Sequence, residues 1–228
     1  MTDIKFENKY IQELEKMEEE ILKALKYKPK KIQSEDPLIL YHGTSLTNFQ
    51  KIKKQGIKPR GNKKSNWQGI GLSRPDLVYL TNCYAIYYAM AANKNKKTNI
   101  KNPGIILKIQ VDPKKIKLYL DEEFIYHILK YNQADNKQMA EELYQTINPK
   151  NLNKLIKNSF YKLPTWQDSL NYMGTVSCDY IPKENIISYA EISVKDSLFC
   201  DPTINPLNYK IMAGEYIRQL EKLKYIKL

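Results

Sequence analysis

Residues 38–45 read Leu-Ile-Leu-Tyr-His-Gly-Thr-Ser, and the fold of this chain can be worked out from that stretch. The four apolar residues at 38–41 predict a short buried strand, because an apolar run of this length bounded by turn residues is typical of a strand covered on both faces. His42 ends the predicted strand, and the three small residues after it predict an exposed turn. A ligand could approach the backbone closely at Gly43, which has no side chain to obstruct it.

Helices and strands alternate in the prediction for the rest of the chain. The first helix begins with Ser45 or Thr47 as N-cap, buries Phe49 and Ile52, and ends at Gly56. Two prolines and three glycines predict a long loop over 57–76. Further strands are predicted at 77–81, 104–111, 174–178 and 186–194, and further helices at 82–92, 122–131, 137–146, 152–158 and 208–224. This order of elements predicts an α+β fold.

The pattern divides the chain into three parts. Residues 1–36 form an N-terminal helical extension, because apolar residues recur every three or four positions over 4–27 and a charged connector follows. Residues 37–195 form the main domain, with a helical insert at about 120–165. Residues 196–228 form a C-terminal helical segment.

Charge is concentrated in the middle of the chain. Residues 37–118 carry 16 lysines and arginines against two acids, a net charge of +14, whereas the whole chain carries +12. A segment this basic creates a positive field wherever it faces solvent. The field suits the phosphates of a dinucleotide or of a nucleic acid. A solvated lysine-rich surface is the alternative, since lysine, asparagine, isoleucine and tyrosine are abundant throughout.

Cysteine usage and hydropathy exclude several classes of protein. Cys83, Cys178 and Cys200 form no CxxC pair, and the chain has two histidines. Neither a disulfide framework nor a zinc site is predicted, and no metal is expected. Since no run of 18 apolar residues occurs and the chain is charged from Asp3 onward, we expect no membrane span, no signal peptide and a cytoplasmic protein.

Few residues are left that point to chemistry. The glycine-rich nucleotide fingerprints and the nucleophile elbow are absent from the sequence. His42 stands at the end of a strand beside a turn, where a neutral imidazole can hydrogen-bond a ribose hydroxyl and the Gly43 peptide can pair with a carboxamide. A histidine in that position is by itself also compatible with a structural role.

An ordered set of short motifs resembles the ADP-ribosyltransferase superfamily. The motifs are Leu-Tyr-His-Gly-Thr-Ser at 40–45, Gly-Ile-Lys-Pro at 56–59, Val-Tyr-Leu-Thr at 78–81 followed by Ala85 and Ala89, and the segments 166–170, 174–176 and 181–186. The first is similar to the RNA 2′-phosphotransferase branch. At the second strand that branch has a histidine, whereas this chain has Tyr79, as in the branch of poly(ADP-ribose) polymerases and diphtheria toxin. The later segments resemble small phage and bacterial proteins of this type, a class that includes toxins and effectors.

The resemblance implies a split β-sheet core and a role for particular residues. His42 would bind the nicotinamide ribose of NAD, Gly43 its carboxamide, and Tyr79 would stack on the nicotinamide ring. Arg60 and Arg74 flank the long loop, and their planar forks suit the pyrophosphate. The full set of residues assigned to NAD is His42, Gly43, Thr44, Ser45, Arg60, Arg74, Tyr79 and Tyr88, of which Tyr79 and Tyr88 are equally compatible with core packing.

The chain departs from the resemblance at the third motif. Transferases of the His-Tyr type usually carry a glutamate on the last core strand, but the strand at 174–178 has no acid. Asp168 before it and Asp179 after it are candidates for the missing acid. The cluster at 121–123, Asp-Glu-Glu, is a separate group that could instead reach the site.

The expected function is therefore transfer of ADP-ribose from NAD to a macromolecule, either a protein, a nucleic acid or a ribonucleoprotein. The basic face favours a nucleic-acid acceptor. One alternative is a non-catalytic module that binds NAD, ADP-ribose or nucleic acid, which the missing acid would explain. The other is an RNA 2′-phosphotransferase, against which Tyr79 argues.

Overall fold

The computed structural model describes residues 32–33, 35–61, 73–94, 104–124, 127, 165–193 and 206–228, with side chains in the last range from 213 onward. The predicted helices at 4–27, 137–146 and 152–158 lie outside these residues. In the described part no helix is both long and apolar enough to cross a membrane.

Seven strands and a set of helices make up the described chain, so the predicted α+β class is confirmed. The strands are β1 (Leu38–Ser45), β2 (Val78–Thr81), β3 (Gly104–Val111), β4 (Leu118–Leu120), β5 (Thr175–Cys178), β6 (Ile186–Ile192) and β7 (Ile226–Lys227). The helices are α1 (Leu46–Gln55), α2 (Ala85–Lys94), α3 (Trp166–Met173) and α4 (Pro206–Lys222), with a 3-10 turn at Lys183–Asn185.

The strands form one antiparallel sheet in the order β4-β5-β2-β1-β3-β6-β7. Strand β1 is central and pairs with β3 along its whole length, from Leu38 opposite Val111 to Ser45 opposite Gly104. On its other side β1 pairs with β2 at a single register position, Tyr41 opposite Thr81. Beyond that position the described ladder between β1 and β2 ends.

Both faces of β1 are covered, as the apolar run predicted. Leu40 belongs to a core cluster on one face that contains Phe49 and Ile52 of α1. Tyr41 belongs to a cluster on the other face that contains Ala85 and Ala89 of α2 and Leu220 of α4. Successive residues of a strand point to opposite faces, so the two neighbours enter different clusters.

Capping residues set the bounds of α1 largely as predicted. The Ser45 hydroxyl accepts a hydrogen bond from the Asn48 amide at 3.4 Å, and Gly56 ends the helix with φ of 74°. The prediction that Asn82 caps α2 is wrong. Helix α2 begins at Ala85, and the Thr81 Oγ1 accepts hydrogen bonds from the amides of Cys83 (3.1 Å) and Tyr84 (2.9 Å) in the turn before it.

The C-terminal residues join the same core and sheet. Tyr216 of α4 is buried against Tyr84, with ring centroids 5.6 Å apart, and β7 pairs with β6. The last helix is observed two residues nearer the N-terminus than the predicted 208–224. Residues 206–228 therefore add a layer over α2 and one edge strand.

Three elements of the structure, β4, β7 and α3, were not predicted. Strand β4 extends the sheet beyond β5, with Leu118 opposite Cys178. Helix α3 begins with a capping box in which the Thr165 and Asp168 side chains bond each other's backbone amides. Together they carry residues 121–123 into the interior, and the predicted helix at 122–131 is helical at 122–124, with the rest outside the described residues apart from His127.

Candidate functional site

His42 lies where β1 and β2 part, and its ring bridges the two strands. Its Nδ1 donates a hydrogen bond to the carbonyl oxygen of Tyr79 at 2.9 Å. A carbonyl oxygen can only accept, so the neutral ring carries its proton on Nδ1 and presents Nε2 as an acceptor. The side chain is thus held in one tautomer at the opening between the strands.

The surroundings of His42 keep the imidazole neutral. Burial is the largest effect and lowers the pKa of His42, the Tyr79 carbonyl raises it, and the positive charge of Arg60 lowers it further. The net shift is downward, so the neutral ring predominates at pH 7. A neutral Nε2 can accept a hydrogen bond from a hydroxyl group.

The Tyr79 hydroxyl forms the second part of the site. It donates to the carboxylate of Glu122, with oxygen–oxygen distances of 2.7 and 2.9 Å, and accepts the Arg74 amide at 2.6 Å. Burial and then the negative charges of Glu122 and Asp121 raise the pKa of Tyr79 far above its usual range. The phenol therefore stays protonated, and its ring is fixed at the hydroxyl end.

Glu122 is an almost fully buried acid, with 2% of its surface exposed. Burial first, and then the charge of Asp121, raise the pKa of Glu122 to about 8, although the Tyr79 hydrogen bond, the glutamate's own amide and Arg74 oppose the shift. Burial and Asp121 also raise the pKa of Glu123 to about 7. At neutral pH this acidic segment, residues 121–123, holds fewer than three negative charges.

Hydrogen bonds from α3 and β5 hold the acidic segment in place. The Asp121 amide donates to Ser169 Oγ at 3.0 Å, and that hydroxyl donates to the Thr175 carbonyl at 2.8 Å. Asp121 Oδ1 accepts the Glu123 amide at 2.9 Å. Since Ser169 is fully buried, the backbone that carries Glu122 is anchored to the core.

The two arginines stand at the ends of the long loop, which the backbone brings together. The Gly61 amide donates to the Pro75 carbonyl at 2.9 Å. The Arg74 guanidinium contacts Asp76 through Nε at 3.0 Å and through an Nη at 3.4 Å. Arg60 is exposed, and its charge acts on His42. The middle of the loop, residues 62–72, lies outside the described residues.

Residues 43–45 do not form the predicted exposed turn, because β1 continues through Ser45. A β-carbon on Gly43 would collide with the Ala85 carbonyl oxygen and the Ala89 amide, so the missing side chain lets α2 pack on β1. Thr44 is 4% exposed, and the Ser45 hydroxyl caps α1. Packing and capping account for these three residues in the structure.

Tyr88 of α2 lies beside the acidic segment. Burial is the largest cause of its raised pKa, and the charges of Asp121, Cys83 and Glu123 follow in that order. The residue is partly exposed. The charge of Asp121 therefore acts on both Tyr88 of α2 and Tyr79 of β2.

The two aspartates considered as the missing acid have other partners. Asp168 closes the α3 capping box, with Oδ2 2.7 Å from the Thr165 amide. Asp179 is exposed and accepts a hydrogen bond from the Tyr119 hydroxyl at 2.7 Å. Glu122 is the acid that bonds Tyr79, and it belongs to the cluster at 121–123 that the sequence offered as a separate group able to reach the site.

Among the described residues no group of three or more histidines, cysteines, aspartates and glutamates has the arrangement of a metal site. Neither the comparison with protein-family models nor that with curated proteins finds a match to this chain.

Proposed function

We propose that this protein is an NAD-dependent ADP-ribosyltransferase. The observation that carries the proposal is the convergence of three distant residues on one opening in the sheet. Tyr79 bonds His42 through its carbonyl and Glu122 through its hydroxyl, and these three residues supply a ribose acceptor, an aromatic ring and a buried carboxylate.

Each group has a task in binding NAD. Nε2 of His42 accepts a hydrogen bond from a hydroxyl group of the nicotinamide ribose. The Tyr79 ring stacks on the cationic nicotinamide, with Tyr88 on the neighbouring helix. Arg60 and Arg74 contact the pyrophosphate. The Arg74 guanidinium is bonded to the Asp76 carboxylate. The pyrophosphate therefore either shares the guanidinium with that carboxylate or displaces it.

Transfer breaks the bond between the nicotinamide nitrogen and C1′ of the ribose. The electron pair leaves with nicotinamide, and positive charge develops on the ribose as the bond lengthens. A carboxylate beside that charge stabilises the transition state strongly where water is excluded. A nucleophile of the acceptor then bonds C1′ and loses its proton to the solvent.

The high pKa of Glu122 fits this task. The protonated form predominates in the free protein below about pH 8. A positively charged nicotinamide beside Glu122 favours the ionised form, because an opposite charge lowers a carboxyl pKa. Binding of NAD thus generates the carboxylate that the reaction uses.

Glu122 also bears on the alternatives. The non-catalytic module was attractive because β5 carries no acid, and a buried glutamate bonded to Tyr79 removes that reason. Tyr79 still argues against an RNA 2′-phosphotransferase, because that branch has a histidine at this position. The experiment below distinguishes the non-catalytic module and the 2′-phosphotransferase from the proposed transferase.

The test is transfer of label from adenylate-labelled NAD, with total RNA, DNA and cell protein offered separately. We expect label on one class of acceptor with the wild type, and none with His42→Ala or Glu122→Gln. NAD affinity is measured in parallel by calorimetry. Tight NAD binding without any transfer by the folded wild type would support the non-catalytic module instead.

A further inference from the structure

Helix α1 and the residues after it are strongly basic. Residues 46–61 contain four lysines and one arginine but no acid. Lys51, Lys54 and Lys58 are exposed. Lys53 has a separate contact, since its Nζ lies 5.0 Å from the centroid of the buried Phe49 ring.

A second segment adds charge and an aromatic ring at the end of α1. Ile57 and Ile181 exchange backbone hydrogen bonds of 2.8 and 3.0 Å, which brings residues 180–183 against Gly56. The Tyr180 hydroxyl donates to the Gln55 carbonyl at 3.0 Å, while 39% of the residue stays exposed. We call Lys51, Lys54, Lys58, Lys183 and Tyr180 the α1 surface.

Among the described residues, no ion pair neutralises the charges of the α1 surface. Elsewhere in the described chain Lys115 pairs with Asp112, and Arg74 with Asp76, but the four lysines of the α1 surface take part in no described ion pair. Glu184 is an exposed acid next to Lys183 and leaves a clear positive excess. An unpaired group of cations is a site for phosphates.

The α1 surface leads directly to the candidate site. Lys58 is two residues before Arg60, whose charge lowers the pKa of His42. A chain lying along α1 therefore passes Arg60 and reaches the opening between β1 and β2. This placement suits an acceptor that must bring a nucleophile to C1′ of the ribose.

We propose that the α1 surface binds a single-stranded polynucleotide, which is the acceptor of the transferase. Phosphates lie on Lys51, Lys54, Lys58 and Lys183, and a base stacks on the exposed part of Tyr180. An unpaired base offers its face to an aromatic ring, whereas a duplex keeps its bases stacked within the helix, which is why the strand is single. The acceptor role rests on the proposed function, but the binding does not.

The test measures binding without NAD, by fluorescence anisotropy of labelled single-stranded RNA, single-stranded DNA of the same sequence, and the duplex. The variant Lys51→Glu/Lys54→Glu/Lys58→Glu is compared with Lys114→Glu/Lys115→Glu/Lys117→Glu. The two triples change the net charge equally, and the second set lies in the connection between β3 and β4. Circular dichroism checks both folds, and the corresponding glutamine triples replace any variant that does not fold.

We expect the first triple to weaken single-strand binding at least tenfold and the control triple by less than threefold. The corresponding glutamine triple should reduce the slope of log affinity against log salt by about 2, since each phosphate contact on a single strand contributes about 0.7. Tyr180→Ala should weaken binding more than Tyr180→Phe, which keeps the ring. The RNA and DNA arms show which sugar is preferred.

Equal losses in both triples, tighter binding of the duplex, or no binding by the wild type would each overturn the inference. Release of nicotinamide from NAD is measured separately on the same preparations. If the protein binds no polynucleotide but still releases nicotinamide, the polynucleotide inference is overturned and the proposed transferase function stands. Binding that persists while nicotinamide release is absent removes the transferase and leaves the polynucleotide surface.

Discussion

The phenol oxygen of Tyr79 lies 2.7 Å from one carboxylate oxygen of Glu122 and 2.9 Å from the other, although 43 positions separate the two residues in the chain. The carbonyl oxygen of the same tyrosine accepts a hydrogen bond from His42 Nδ1. A single residue of β2 thus connects the imidazole on β1 to the acid after β4. The proposed role of Glu122 in the reaction depends on that connection.

Activity should rise with pH through the titration of Glu122. The pKa of Glu122 is raised to about 8, and the reaction needs the ionised form, so the rate at limiting NAD should increase from pH 6 to pH 9 with a midpoint near 8. Initial rates of nicotinamide release across this range measure it. A flat profile, or one that falls over the same range, would contradict the role of Glu122 as a carboxylate.

Removal of Arg60 should raise the pKa of His42. The positive charge of Arg60 lowers that pKa, so Arg60→Gln removes a repulsion that disfavours the charged ring. Titration by NMR is direct because the chain has two histidines, and His42→Ala assigns the signals. Asn48→Gln, on the exposed part of α1, serves as the control that should leave the pKa unchanged. An unchanged pKa in Arg60→Gln would place the guanidinium away from the site.

Gly43→Ala should destabilise the fold more than Gly61→Ala. A β-carbon at 43 meets backbone atoms of α2 that cannot move independently, whereas one at 61 has no atom of the described residues within 4 Å and a φ of 64° that strains it. We expect losses of about 3 kcal/mol and about 1 kcal/mol in the free energy of unfolding. Urea denaturation measures both, and equal losses would show that α2 packs less closely on β1.

Ser169→Ala should impair turnover through the acidic segment. Its hydroxyl bonds the Asp121 amide and the Thr175 carbonyl, so alanine frees the backbone that carries Glu122. We expect a lower kcat, little change in KM and a shifted midpoint of the pH profile. Ser188→Ala, at a buried serine of β6, should leave that midpoint in place. A variant with lower stability but an unchanged profile would assign Ser169 a purely structural role.

Local signals explain which elements were predicted. The N-cap and C-cap of α1 are properties of Ser45 and Gly56 themselves, and β3 is a run of apolar residues ended by Asp112 and Pro113. Such elements are specified by neighbouring residues and can be predicted without knowledge of the tertiary structure. The caps and apolar runs near His42 were therefore sufficient for the core of the fold.

Long-range packing explains what was missed. Strand β4 has three residues and depends on pairing with β5, more than fifty positions later, and the capping box at the start of α3 went unrecognised. Three consecutive acids at 121–123 are typical of a solvated turn, and nothing local shows that β4 and Ser169 bury them. For that reason the sequence indicated only that the cluster at 121–123 could reach the site, and the contact between Glu122 and Tyr79 came from the structure. The exposed turn at 43–45 was wrong because Gly43 looked like an opening for a ligand, whereas α2 fills the space.

The rate of nicotinamide release from saturating NAD by Glu122→Gln shows whether this carboxylate takes part in the reaction. The glutamine keeps the size of the side chain but cannot carry the negative charge. We predict a loss of about 100- to 1,000-fold with NAD affinity and fold retained, and near wild-type rates for Asp168→Asn and Asp179→Asn. Release by Glu122→Gln at the wild-type rate would contradict the account, because the carboxylate bonded to Tyr79 would then take no part in breaking the glycosidic bond.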